Sequence, residues 1–190
     1  MTDATRRLCG MLGDLLAYPR GEVAPLARAA RALAGPCAAG SALGRFAAAA
    51  EAAEPAALEE LYTATFDLDP ACAPYIGVQL LGDEDPMRGP LLAKLAEIYA
   101  AEGHATRGEL PDHVAEVMGF LAVARSGPAR DDLVADGLLP ALERMLEALG
   151  AQPNPYRELL VAVRDVLGPA PAASAWSADA RVRAGAEVDP

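Results

Sequence analysis

A chain of 190 residues, 53% of them hydrophobic, is long enough to bury one good core, so one domain is expected. A formal net charge of −11 argues against a nucleic-acid partner, whose binder needs a basic face, and no apolar run reaches the ~18 residues of a membrane span. The three cysteines, Cys9, Cys37 and Cys72, form no CxxC pair and fit neither a zinc site nor a disulfide framework, so they read as free thiols of a reducing compartment.

The pattern is helical almost throughout. Leu8, Met11, Leu12, Leu15 and Leu16 repeat at three- and four-residue intervals and predict a first helix ending at Tyr18-Pro19. Arg6-Arg7 ahead of apolar residues has the outline of a twin-arginine export signal. Asp14 interrupts the run, however, and no small-residue cleavage site follows, so the segment is read as an amphipathic helix. A second helix is expected from about Val23 to Leu33, stopped by Gly35-Pro36. A third runs from Ser41, taken as its N-cap, to Ala53. Pro55 opens a fourth through Leu58, Leu61, Tyr62 and Thr65.

"FDLDPACAPYIG" reads as a loop, with a short helix from about Tyr75 to Leu81 and an acidic turn, "GDEDPMRGP", after it. Leu91, Leu92, Leu95, Ile98 and Tyr99 predict a helix ending near Gly103. Pro111 is placed at the first position of the next helix, which extends to about Arg125 with Val114, Val117, Met118 and Leu121 as its buried stripe. Asp131 to Leu149 is helical with a break expected at Gly137 or Pro140, and Tyr156 to Leu167 forms the last helix. The sum is an all-α, single-domain bundle of about eight helices over residues 1–167. From 168 to 190 the composition shifts to Pro, Ala, Ser and scattered charge. This reads as a flexible C-terminal tail carrying Trp176, the only tryptophan.

The negative charge is localised. Residues 51–116 hold 14 acidic against 3 basic residues, and elsewhere the two signs cancel. A cationic partner steered by an acidic surface is one reading of that excess, and simple solubility is the other.

Within this stretch, Asp112, His113 and Glu116 cluster at a helix start, with Glu109 just before it and His104 nearby. On a helical wheel His113 falls at the edge of the buried stripe, so it is expected half-buried and titrating near neutrality. Asp112 and Glu116 are expected to point toward water. Three ligand types suggest a metal-dependent enzyme around Asp112, His113 and Glu116. Against it, Asp112 and His113 diverge by about 100° on the wheel, and no HxxxH or HExxH pair occurs. No GxSxG elbow and no glycine-rich phosphate loop occurs either, so the residues point to a binding protein, not an enzyme.

Three segments carry a family resemblance. "GELPDHVAEVMGFLA" resembles the E-x-P-D-H helix start of the TorD/DmsD/NarJ chaperones for molybdenum redox enzymes. "LEELYTATFDLD" is similar to the Tyr-x-x-x-Phe-Asp segment of the NarJ, or nitrate reductase delta-subunit, branch, and "LLAYP" to the end of that family's first helix. Order and separations also agree over about residues 5–165. Two departures stand out: "EVMGFL" follows P-D-H where Glu-Leu-Glu-Phe is frequent, and "ATFD" replaces the Leu-Phe pair of the TorD and DmsD branches.

The resemblance implies a cytoplasmic, cofactor-free, all-α chaperone. Its partner would be the basic N-terminal peptide, twin-arginine or remnant, of the catalytic subunit of a nitrate reductase-like molybdopterin oxidoreductase, held while the molybdenum cofactor is inserted. Carried over to this chain, the peptide-binding residues are Tyr62, Phe66, Asp67, Glu109, Pro111, Asp112, His113 and Glu116. Asp112 would accept from a peptide arginine or orient His113, and His113 would hydrogen-bond the peptide. Tyr62 and Phe66 would line an apolar groove, with core packing as the alternative. On this reading, replacing Asp112 and His113 together by alanine weakens binding and leaves the fold intact. A helical adaptor for an unrelated basic partner is the competing assignment.

Overall fold

The computed structural model describes residues 1–68, 70–151 and 153–168; the expectations for the tail and Trp176 lie outside them. Ten α-helices occur among the described residues: α1 (Asp3–Leu16), α2 (Val23–Ala34), α3 (Ala38–Ala52), α4 (Pro55–Phe66), α5 (Ile76–Leu81), α6 (Arg88–Ala101), α7 (Val114–Val123), α8 (Pro128–Asp132), α9 (Leu139–Leu149) and α10 (Pro155–Leu167). A π-helical turn, Leu133–Leu138, joins α8 to α9. The all-α expectation holds, with two more helices than expected.

The core follows from the apolar stripes. Leu8, Leu12, Leu15 and Leu16 of α1 are buried and pack mainly against α7, whose Val114, Val117, Met118 and Leu121 are fully enclosed. The two helices approach closely because Gly13 faces α7. A Cβ there would lie 2.9 Å from the Ala115 carbonyl oxygen, which requires a shift of backbone. α3 is sandwiched between α2 and α10 and offers mostly alanine and glycine to both, with Leu43 and Phe46 filling the remaining space. α5 rests on α9, and Arg144 of α9 donates to the Gln79 and Leu80 carbonyls at the C-terminal end of α5.

Three boundaries differ from expectation, each for a local reason. α3 begins at Ala38, not after Ser41, because the Cys37 sulfur accepts from Gly40 N–H, while the Ser41 hydroxyl turns back to the Cys37 carbonyl from inside the first turn. α7 begins at Val114, not Pro111, because His113 is its N-cap. The helix expected from Asp131 begins at Pro128, and its expected break is the π-helical turn. That turn adds a residue to the ladder just ahead of Pro140, which brings no N–H of its own.

Candidate functional site

The Pro111-Asp112-His113 segment is a junction of three elements. Pro111 and Asp112 form a turn and His113 is in extended backbone before α7, paired with Tyr75 in the loop ahead of α5: Ile76 N–H donates to the Asp112 carbonyl (2.8 Å), and Val114 N–H donates to the Pro74 carbonyl (2.8 Å). The Tyr99 hydroxyl of α6 donates to the Pro111 carbonyl (2.8 Å). Thus two backbone carbonyls of the motif tie α5 and α6 to the start of α7.

The side chains continue this work. His113 Nδ1 accepts from Ala115 N–H at 3.1 Å and caps α7. Its ring meets Tyr75 edge-on at 5.2 Å, and burial pushes the imidazole down to about 4, so the capping ring is neutral. Asp112 Oδ2 accepts from Gly77 N–H (3.2 Å) and from Arg88 Nε (3.3 Å). Burial raises the Asp112 carboxyl, and Arg88 pulls against that shift. Gly77 is required for this approach: a Cβ there would stand 2.7 Å from Asp112 Oδ2 and 3.1 Å from the Arg88 stem. Arg88 also bonds Asp83 (3.0 Å) and lies over the Tyr75 ring at 5.4 Å.

Glu116 belongs to a second enclosed cluster. Its Oε1 accepts from Arg107 N–H (2.9 Å), and its Oε2 lies 3.7 Å from His104 Nε2. Arg107 itself pairs with Asp14 of α1, so the loop between α6 and α7 is strapped over both helices. His104 Nε2, Asp112 Oδ1 and Glu116 Oε2 are enclosed and without a hydrogen-bond partner among the described residues.

These contacts correct the wheel-based orientation. Asp112 and Glu116 do not face water, and His113 is not half-buried: all three are at most 2% exposed. Asp112 and His113 precede the helix, so helical angles do not apply to them. Glu116 faces the strap, which sequence periodicity does not register. Removing Asp112 and His113 together would also take away a helix cap and a buried ion pair, so that double substitution lowers stability as well as altering the site.

Tyr62 and Phe66 are likewise interior. Their rings, 5.2 Å apart, form a cluster with Tyr156 and Phe46, and Tyr18 closes it on the outside. The Tyr62 hydroxyl reaches the Leu16 carbonyl at 3.4 Å. Of the eight expected site residues, Asp67 and Glu109 are exposed and Pro111 is half-buried.

The residue that joins these pieces is Tyr75, which sequence reasoning missed. Half-buried, it donates its hydroxyl to Glu109 Oε2 at 3.2 Å and packs on His113 and under Arg88. Burial pushes the Tyr75 hydroxyl up to about 12, helped by the charges of Glu109, Asp112 and Asp67. Burial raises the Tyr62 hydroxyl too, and the charges of Glu109 and Asp67 add to that shift. Leu68 and Leu110, their chain neighbours, are 74% and 44% exposed. Further along, Tyr18 donates to Glu59 (3.1 Å) and lies under Arg20. Tyr75 thus joins the exposed Glu109 carboxylate to the buried Pro111–His113 junction. One signal pointed to part of it: Arg88 and Arg107 are the only arginines in the acidic stretch 51–116, and both are drawn into this framework.

Among the described residues no three His, Cys, Asp or Glu side chains are placed to hold a metal ion, and no described helix is long and apolar enough to cross a membrane.

An all-helical chain with this junction is similar to a solved protein. The crystal structure of an Archaeoglobus fulgidus protein described as a redox enzyme maturation protein superposes with a TM-score of 0.58 over 86% of this chain and 93% of the other, at 20% identity. That likeness defines the fold class. The family model described as nitrate reductase delta subunit matches residues 31–162, and the chain belongs to that family. No curated protein matches the chain.

Proposed function

We propose that this protein is a cytoplasmic maturation chaperone. It binds the basic N-terminal peptide of the catalytic subunit of a nitrate reductase-like molybdopterin oxidoreductase, assists insertion of the molybdenum cofactor, and catalyses no reaction of its own. Family membership supports the maturation role. The observation that carries the peptide reading is the exposed Glu109 carboxylate, held by the Tyr75 hydroxyl at 3.2 Å beside the Pro111–His113 junction, with the exposed Leu110 next to it in the chain.

The chemistry follows from that arrangement. Peptide guanidinium groups pair with Asp67 and Glu109, where a planar fork suits a carboxylate better than a lysine does. Apolar peptide residues cover Leu68 and Leu110. Asp112, His113, Tyr62 and Phe66 act from beneath: they hold Tyr75 and the two carboxylates in place and do not touch the peptide. Glu116 fixes the strap that leads to Glu109, and Pro111 sets its exit.

Calorimetric titration of the full chain with the client's N-terminal peptide tests this. Asp67→Asn with Glu109→Gln weakens binding about three- to tenfold, the worth of two exposed charge pairs, and leaves the circular dichroism spectrum unchanged. Unaltered affinity in that folded double variant rejects the assignment.

A further inference from the structure

A cleft of about 380 Å³ shares no lining residue with the Pro111–His113 junction. The end of the α1–α2 loop and the first turn of α2 line it with Pro19, Val23 and Pro25, and the corner between α3 and α4 lines it with Ala53, Pro55 and Leu58. It stays open because the side chains around it are short or stiff. Ala24, Ala50 and Ala53 leave volume unfilled, and the three prolines have fixed φ. The cleft is formed before a ligand arrives, so little ordering is required on binding.

Its charged groups are carboxylates. Glu59, half-buried, accepts from the Tyr18 hydroxyl at 3.1 Å through one oxygen and leaves the other free. Glu22, exposed, has no hydrogen-bond or ion-pair partner among the described residues. Among the described residues no lysine, arginine or histidine lines the cleft; Arg20, next to it in the chain, lies over the Tyr18 ring at 5.6 Å. α2 and α4 both start here, and a helix N-terminus carries roughly half a positive charge. That field is blunted: Pro25 and Pro55 bring no N–H, and the N–H groups of Val23, Ala57 and Leu58 are taken by the Gly21 and Glu54 carbonyls. The two full carboxylate charges outweigh what remains. Apolar walls with carboxylates beside them are the complement of an apolar side chain with a guanidinium beside it.

We propose that this cleft is a second docking site, independent of the Glu109 site, for a peptide segment in which a leucine-sized residue neighbours an arginine. The apolar side chain enters among Pro19, Ala53 and Leu58, and the guanidinium meets the free oxygen of Glu59, with Glu22 adding to the attraction. The Glu109 site need not be occupied for this binding.

The probe is the acetylated, amidated tripeptide Leu-Arg-Leu, titrated into the isotope-labelled full chain and followed by heteronuclear NMR. Amide shifts are expected at Gly21, Glu22, Val23, Ala24, Ala53 and Leu58. Glu22→Gln with Glu59→Gln lowers the affinity about three- to tenfold. This variant keeps an acceptor for the Tyr18 hydroxyl, and its circular dichroism spectrum is unchanged. Ala24→Leu, which fills the cleft, abolishes the shifts. Exchanging the peptide arginine for glutamine reproduces the loss in the wild type and adds nothing in the Glu22/Glu59 variant. Unmoved cleft amides at millimolar peptide overturn the proposal, and so does unchanged affinity in the folded Glu22/Glu59 variant. Butylguanidinium that shifts the same amides with the peptide's affinity also overturns it, because the cleft then takes a small cation and not a peptide. Shifts confined to Glu109 and Leu110 reject docking in the cleft and leave the site at Tyr75 standing.

Discussion

His113→Asn isolates the energetic role of the buried imidazole. Asparagine is a good N-cap, so α7 keeps an acceptor for Ala115 N–H while the titrating group disappears. In the folded wild type burial pushes His113 down to about 4, against 6.5 when exposed. At ~1.36 kcal/mol per tenfold change, that gap corresponds to about 3 kcal/mol. The sign follows from proton uptake. Above pH 6.5 the imidazole is neutral in both states and its contribution is fully present. Between 6.5 and about 4 the unfolded chain takes a proton that the folded chain refuses, so stability falls as pH falls, by up to about 1.4 kcal/mol per pH unit. His104, also lowered by burial, adds to this trend, and Asp112, raised by burial, opposes it; both stay in the variant. Urea unfolding followed by circular dichroism, at pH values from about 4.5 to 8, measures the difference. The His113→Asn variant is less stable than the wild type at pH 8 but has a flatter acid slope. Parallel slopes for the two proteins would refute a neutral, enclosed His113.

Gly77→Ala forces a methyl group to within 2.7 Å of Asp112 Oδ2 and 3.3 Å of Leu91, so it lowers stability by about 1–3 kcal/mol in the same assay, far more than an alanine on an exposed helix face would. Tyr99→Phe deletes the 2.8 Å bond to the Pro111 carbonyl and costs about 1 kcal/mol, read as a lower thermal midpoint with the peptide affinity little changed. Thiol labelling of the native chain modifies Cys37, which is exposed, and spares Cys9 and Cys72, whose thiols burial pushes up to about 12. All three react after unfolding in urea, and native labelling of more than one thiol contradicts the packing described here.

Helix positions were legible because stripes such as Leu8–Leu12–Leu15 and Val114–Val117–Met118–Leu121 report one buried face directly. Helix starts were less so. Cys37 is a rare cap, and Pro111 has the chemistry of a first helical residue while serving three positions upstream of one. The motif residues were found, but their burial was not, because it is imposed by elements remote in sequence: the loop at Pro74–Gly77 covers Asp112 and His113, and the strap through His104 and Arg107 covers Glu116. Tyr75 escaped notice for the same reason. In the sequence it is an aromatic where a loop meets a short helix, and only the pairing of its backbone with His113 brings it beside Glu109.

The central claim is that client recognition takes place on the solvent side of Tyr75, with the Pro111–His113 junction as its support. Heteronuclear NMR of the full chain titrated with a basic client peptide tests it most directly. The account predicts that the largest amide shifts fall at Asp67, Leu68, Tyr75, Glu109 and Leu110. Shifts confined to surfaces away from these residues, with these five unmoved at saturation, would contradict it.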